Sequence, residues 1–298
     1  MRIERAGDRP FALALATLAF VLLAGAGAAL DGLRGGLAGG ALGLPAAAGM
    51  RRLLGARARR RRQAVQQPFP ERWRALLLER YDHYDRLPEP LKRRFEDDVK
   101  LFLAEKRISG VGVEVTDELR LLVAASAVTL SLGWPDHDWD QLSEVLLYPQ
   151  DFDRDYSFEQ EELAGQTHPW GTVILSVPAL HESFEDPDDA YHVGLHEFAH
   201  LLDVEQTEFD GIPAGLPASR HAEWVALARK EMERLQRRKS VLDPYGADDP
   251  VEFLAVAVEA FFEPALELRR RHRELYEMLV ATFGQDPAAW DDQRGLAL

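Results

Sequence analysis

Two hydrophobic patterns divide the chain. The first is unbroken: residues 11–30 read FALALATLAFVLLAGAGAAL, twenty positions without a charge. At 1.5 Å rise per residue such a helix spans a bilayer core of roughly 30 Å. A second uncharged stretch, residues 35–50, follows Asp31 and Arg34; it is short, rich in Gly and interrupted by Pro45. It is a poor span by itself but suits the return limb of a hairpin, because Gly and Ala let helices approach closely in lipid. The second pattern is amphipathic and starts after a linker, residues 63–70 (QAVQQPFP). Helices are predicted over 71–84 and 89–106. In the latter, Leu91, Phe95, Val99, Phe102 and Leu103 recur at three- and four-residue steps. Residues 111–115 (VGVEV) alternate like a strand. Residues 118–132, with Ala124, Ala125 and Ala127, read as a buried helix ended by Trp134-Pro135. VLLY at 145–148 and WGTVILSV at 170–177 read as buried strands. Helices follow at 189–203, 221–239, 250–263 and 270–283. Strands in the first half, helices in the second and no internal repeat predict an α+β domain with a mostly helical C-terminal half.

Charge sharpens this division. The 298 residues carry 35 Lys+Arg against 50 Asp+Glu, a net −15. Residues 1–62 hold eleven Arg and three acids, a net +8, which leaves −23 for the remainder. The run Arg57, Arg59, Arg60, Arg61, Arg62 favours the cytoplasmic side of a membrane, and so do Arg2, Arg5 and Arg9, so a hairpin satisfies both flanks. This predicts an anchor over 1–62, a linker over 63–70 and a soluble domain over 71–298 facing the cytoplasm from the inner membrane. The alternative is an exported protein whose signal peptide is cleaved near the small residues 24–29. The acidic domain argues against direct nucleic-acid binding. With no cysteine there is no disulfide, no thiolate metal ligand and no cysteine nucleophile.

The chemistry lies in HEFAH, residues 196–200. On a helix, His196 and His200 share one face about 5–6 Å apart, as two ligands of one metal do. Glu197 can reach a metal-bound water as general base. Zinc suits imidazole and carboxylate donors without thiols. The flanks Val193, Leu195, Phe198, Ala199, Leu201 and Leu202 are apolar, so the helix is buried, and two imidazoles and a carboxyl inside it require partners. Asp203 either orients a ligand ring or simply ends the helix.

A catalytic zinc site needs a third protein ligand. Position 206 is Gln, so the HExxHxxGxxH pattern is absent. His221 opens a charged helix and reads as solvated. Residues 249–263 (DPVEFLAVAVEAFFE) form an otherwise apolar helix with two candidates seven residues apart, hence on one face: Glu252 and Glu259. Asp249, Pro250 and Glu252 also fit N-cap, N1 and N3 of a capping box, while Glu259 sits mid-helix. Spacing alone leans towards Glu259 and leaves both open.

HEFAHLLD, followed some fifty residues on by DPYGADDPVEFLAVAVEAFFE, resembles the Mlc titration factor A family of zinc peptidases, as do LKRRFEDDVKLFLAEKRI, TDELRLLVAASAVTLSLG, VLLYPQDF and WGTVILSV upstream. The resemblance covers roughly residues 73–290. It implies a zincin-like, gluzincin-type fold binding one Zn²⁺ through His196, His200 and Glu252, with Glu197 as base and Tyr245 as an active-site tyrosine. Glu259 becomes a supporting residue. It further implies aminopeptidase-type hydrolysis of peptides through a metal-activated water, and binding of a transcriptional repressor of the Mlc type. The competing function is a zinc-containing module that sequesters a regulator or membrane partner with little catalysis. A phenol at 245 suits donation to a developing oxyanion. Strand 171–177 is the expected substrate-aligning edge, with His168 and Trp170 beside the cleft. His83, His137, His181, His192 and His272 read as surface or locally bonded residues.

Overall fold

The computed structural model describes the chain except residues 2–7, 154–155, 157–162, 187–188, 206–207, 238–239 and 291–298. Arg2, Arg5 and the end of the helix predicted to reach residue 239 lie outside the described residues. The chain forms two compact units, Arg2–Pro68 and Phe69–Leu298.

The first unit contains α1 (Asp8–Leu54) and α2 (Ala56–Gln66). α1 is broken at Asp31 and Gly32, whose backbone is not helical. The two limbs fold back on each other with glycine at the contact. A Cβ on Gly27 would lie 2.0 Å from the Gly35 carbonyl oxygen, and one on Gly39 would lie 2.2 Å from that of Leu23. Only glycine allows that approach. Leu22, Leu30, Leu33, Leu37 and Leu42 remain exposed. The segment Leu13–Gly49 is long and apolar enough to cross a membrane. Residues 63–66 are the last turn of α2.

The second unit is mixed α/β and mostly helical. α3 (Glu71–Arg80) and α4 (Asp82–Arg86) divide the helix predicted over 71–84, because Tyr81 leaves helical geometry to bury its ring. α5 (Glu89–Glu105) buries Phe95, Val99 and Phe102, as its periodicity requires. β1 (Ile108–Gly110) precedes the strand predicted at 111–115. Alternation fails there because Gly112 takes φ +73° and turns the chain. α6 (Asp117–Ser131) is capped by the Thr116 hydroxyl, which accepts from Leu119 N–H at 3.2 Å, and is buried from Leu121 to Ser131. It packs against α5 and against α8, which carries the HExxH sequence.

The sheet contains β2 (Glu144–Tyr148), β3 (Gly165–Thr167) and β4 (Thr172–Ser176) in the order β1-β2-β4-β3. β1/β2 and β2/β4 are parallel, and β3/β4 is antiparallel. The predicted edge at 171–177 is therefore an interior strand. Val173, Ile174 and Leu175 are buried, and a run of apolar residues covered on both faces belongs inside a sheet. Among the described residues the edge strands are β1 and, beside β4, the short polar strand β3.

Then come α7 (Val177–Glu182), α8 (Val193–Leu201), the pair β5 (Val204–Glu205) and β6 (Glu208–Phe209), α9 (His221–Gln236), α10 (Pro250–Phe262), α11 (Ala265–Arg271) and α12 (Arg273–Phe283). α8 starts later than residue 189 because Ala190 has φ +61°, outside helical geometry. The helix predicted over 270–283 is two, split at His272. Of the histidines expected to be surface or locally bonded, His83, His192 and His272 are buried, and His192 does bond locally, to Leu195 N–H. His83 packs edge-on to Phe262 and Trp290, His192 packs against Phe184, and His272 bonds Glu231 at 2.6 Å.

Candidate metal centre

Three elements meet at one point: α8, the N-terminal half of α10, and β3. α8 is capped by a histidine. His192 Nδ1 accepts from Leu195 N–H at 3.2 Å, so this imidazole must be neutral. Burial, the largest influence, holds its pKa down to about 3. One helical turn separates His196 from His200, and their ring centroids stand 4.9 Å apart.

α10 begins at Asp249, whose carboxylate accepts from Val251 and Glu252 N–H at 2.8 and 3.0 Å. The Glu252 side chain turns to the imidazoles instead of back to the cap. Its Oε2 lies 3.1 Å from His196 Nε2 and 3.7 Å from His200 Nε2. Two turns on, Glu259 Oε1 accepts from His192 N–H at 2.8 Å, and Oε2 stands 3.2 Å from His196 Nδ1. Both glutamates of α10 thus face α8, and they divide the imidazole between them: Glu252 meets Nε2 and Glu259 meets Nδ1.

One ligand atom each from His196, His200 and Glu252 lies within 4.8 Å of the other two. Donors about 2.0–2.1 Å from a tetrahedral ion stand about 3.3–3.4 Å apart, so the observed separations suit a cation. The donor chemistry agrees. Lone pairs of two ring nitrogens and a carboxylate oxygen converge here, and only protons or a cation can hold them together. Burial by itself lowers the His196 pKa, but the Glu259 charge and the bonds to Glu252 and Glu259 outweigh it and hold it well above the usual value. His200 goes the other way, down to about 3, through burial and then the neighbouring His196 charge.

Glu197 is buried beside these donors. Burial raises its pKa to about 7, with His196 and the Thr167 hydroxyl opposing the rise. Thr167 Oγ1 stands 2.8 Å from Glu197 Oε2. Tyr245 is half exposed, its ring centroid 6.1 Å from that of His196. Burial and the nearby Glu252 charge raise its pKa to about 12, so the phenol keeps its proton. Two cavities of about 410 and 420 Å³ meet at His196, Glu197 and Tyr245. Tyr191 and Val256 line one; Gln166, Phe209 and Val251 line the other.

Other expected residues lie elsewhere. Asp203 bonds neither imidazole; its Oδ1 accepts from Asp210 and Ile212 N–H at 3.1 and 3.0 Å, tying down the loop after β6. Burial and then the neighbouring Asp210 carboxyl raise its pKa to about 7, against the two backbone N–H bonds. His168 stacks on Trp170 at 4.3 Å and bonds Tyr156 at 2.9 Å, and neither His168 nor Trp170 lines the two cavities. His221 bonds the Leu216 carbonyl at 3.1 Å. Thr167, Gly165 and His192 carry no sequence signal. Thr167 and Gly165 sit in a three-residue polar strand, and His192 precedes the motif without forming part of it.

Residues 56–284, well over half the chain, match the sequence family described as Glucose-regulated metallo-peptidase M90. The chain belongs to this family. Its relatives include the uncharacterized protein slr2042 of Synechocystis sp., 32% identical over 76% of this chain and 89% of that protein. Mlc titration factor A of Edwardsiella ictaluri is 29% identical over 60% of this chain and 72% of its own length. Mlc titration factor A of Escherichia coli strain HS is 27% identical over 62% and 76%. An M90 metallopeptidase requires a divalent metal, and among the described residues His196, His200 and Glu252 are the group able to hold one.

Proposed function

We propose that this M90 protein is a zinc-dependent peptidase of aminopeptidase type, on a zincin-like scaffold. The observation that carries the reading is the convergence of His196 Nε2, His200 Nε2 and Glu252 Oε2 beside the buried carboxyl of Glu197, in a cleft open to solvent. His196, His200 and Glu252 hold the ion, and Glu259 fixes the His196 ring through Nδ1. When bound, zinc polarises the scissile carbonyl and lowers the pKa of the attacking water.

The rest of the chemistry belongs to the chain. Glu197 accepts a proton from the attacking water as the new C–O bond forms. It then passes that proton to the amine nitrogen as the C–N bond breaks. The Tyr245 hydroxyl donates to the carbonyl oxygen as negative charge develops there. Among the described residues β3 has one sheet neighbour, so its other side offers backbone groups to an extended peptide. Asp203 supports the loop after β6 rather than a ligand.

Two further parts of the reading concern partners and location. The name of the enterobacterial relatives supports capture of a transcriptional repressor of the Mlc type, alongside peptide hydrolysis. The folded-back apolar limbs and the basic run near residues 57–62 support a membrane hairpin over 1–62 that holds the domain 71–298 at the cytoplasmic face of the inner membrane, with 63–70 between them. The hairpin break at Asp31–Gly32 favours this anchor over a cleaved signal peptide. Protection of the domain from protease added outside cells, and cleavage in inverted vesicles, tests the topology.

The deciding experiment compares zinc-loaded wild type with Glu197→Gln on aminoacyl and short-peptide reporters. The substitution lowers turnover by about 10²–10⁴-fold with zinc retained. Turnover retained by Glu197→Gln refutes the mechanism. Zinc binding and repressor capture without turnover in the wild type would make the domain a sequestering module.

A further inference from the structure

β3 places no apolar side chain in the core; its sequence is Gly-Gln-Thr. Its two ends nevertheless meet the same side chain. Residues two apart in a strand face one side, so Gly165 and Thr167 point the same way, and both point at Glu197. Thr167 is buried, with Oγ1 2.8 Å from Glu197 Oε2 and 2.8 Å from the Glu197 backbone oxygen. Gly165 lies against the rest of the carboxyl. A Cβ there would stand 2.6 Å from Cγ, 2.6 Å from Oε1 and 2.9 Å from Cδ of Glu197. No residue but glycine fits while Glu197 stays where it is.

We infer that Thr167 and Gly165 are positioning residues for Glu197: the edge strand clamps its carboxyl, the Thr167 hydroxyl fixing Oε2 and the bare Gly165 backbone making room for Oε1. This rests on the reading of Glu197 as the base. The hydroxyl has one proton and two acceptors. It bonds the charged carboxylate more strongly than the neutral acid. The clamp thus holds the carboxyl in one place beside the metal donors. An unheld glutamate samples several rotamers, and a displacement of about 1 Å at a reacting group costs on the order of 10²-fold in rate.

The test uses the zinc-loaded full chain with three substitutions. Thr167→Val removes the hydroxyl at constant shape. It lowers kcat about 10–100-fold, with KM within about twofold and zinc content unchanged. Thr167→Ser restores most of the kcat. Gly165→Ala, which pushes the carboxyl aside, lowers kcat with zinc retained. A readout without turnover comes from a double-mutant cycle on metal-free protein, Thr167→Val against Glu197→Met. An ordinary hydrogen bond between the two side chains predicts a coupling of roughly fivefold in the unfolding equilibrium constant. Additive effects in the cycle overturn the clamp whatever the activity. Coupling with kcat unchanged in Thr167→Val, or equal losses in the Ser and Val variants, shows a bond that does not position the base and overturns the role. Equal turnover by wild type and Glu197→Gln, or none by either, removes the base itself; the cycle then reports a bond that is structural only.

Discussion

The helix that carries the two imidazole donors depends on a proton being absent from His192. Its Nδ1 accepts the Leu195 N–H at 3.2 Å, and the ring is fully buried. Protonation of Nδ1 breaks the cap and buries a charge. The folded-state pKa is accordingly depressed, from 6.5 to about 3. The folded protein then binds fewer protons than the unfolded chain at any pH below about 6.5, so stability is full above that value and falls as pH falls towards 3. One pKa unit corresponds to about 1.36 kcal/mol, so between pH 8 and pH 5 the loss from His192 is about 2 kcal/mol, and near pH 3 it approaches about 5 kcal/mol. His192→Asn isolates this quantity. Asparagine is a good N-cap and carries no titrating proton. Urea unfolding of both proteins, freed of metal by chelator, gives the stability gap at each pH. The smaller side chain sets a constant offset, but the gap moves by about 2 kcal/mol in favour of the His192→Asn variant between pH 8 and pH 5. A gap constant to within about 0.5 kcal/mol refutes the argument that the imidazole is held neutral.

Other outcomes follow from the same geometry. Glu252→Gln removes a donor facing both Nε2 atoms and loses zinc in metal analysis, whereas Glu259→Gln only loosens the His196 ring and costs about 10–100-fold in metal affinity. The reverse order would exchange their roles. Tyr245→Phe lowers kcat by about 10²–10³-fold with KM and zinc little changed, measured on the same reporters, because the phenol acts only as charge develops on the oxygen.

The linear order of residues determined the division into a basic apolar start and an acidic domain, since hydropathy and charge need no neighbours to be read. It also placed most helices, because a buried stripe repeating every three to four residues is written in the chain, as with Phe95, Val99 and Phe102. HEFAH was legible for the same reason: helical spacing fixes the His196–His200 separation locally. What the sequence left open was every long-range choice. Glu252 and Glu259 share one face of α10, and periodicity does not say which imidazole nitrogen each meets. The packing of α10 on α8 decides that, setting Glu252 at Nε2 and Glu259 at Nδ1. Asp203, adjacent to the motif, turns away because Asp210 and Ile212 N–H groups need an acceptor. The apolar run at 172–176 marked a strand but not its place in the sheet; only pairing shows it to be interior and leaves β3 as the edge beside it. A three-residue strand has too little pattern to be seen in sequence, and its contact with Glu197 spans some thirty residues. That contact exists only because the sheet and α8 pack together, a tertiary fact that no local propensity encodes.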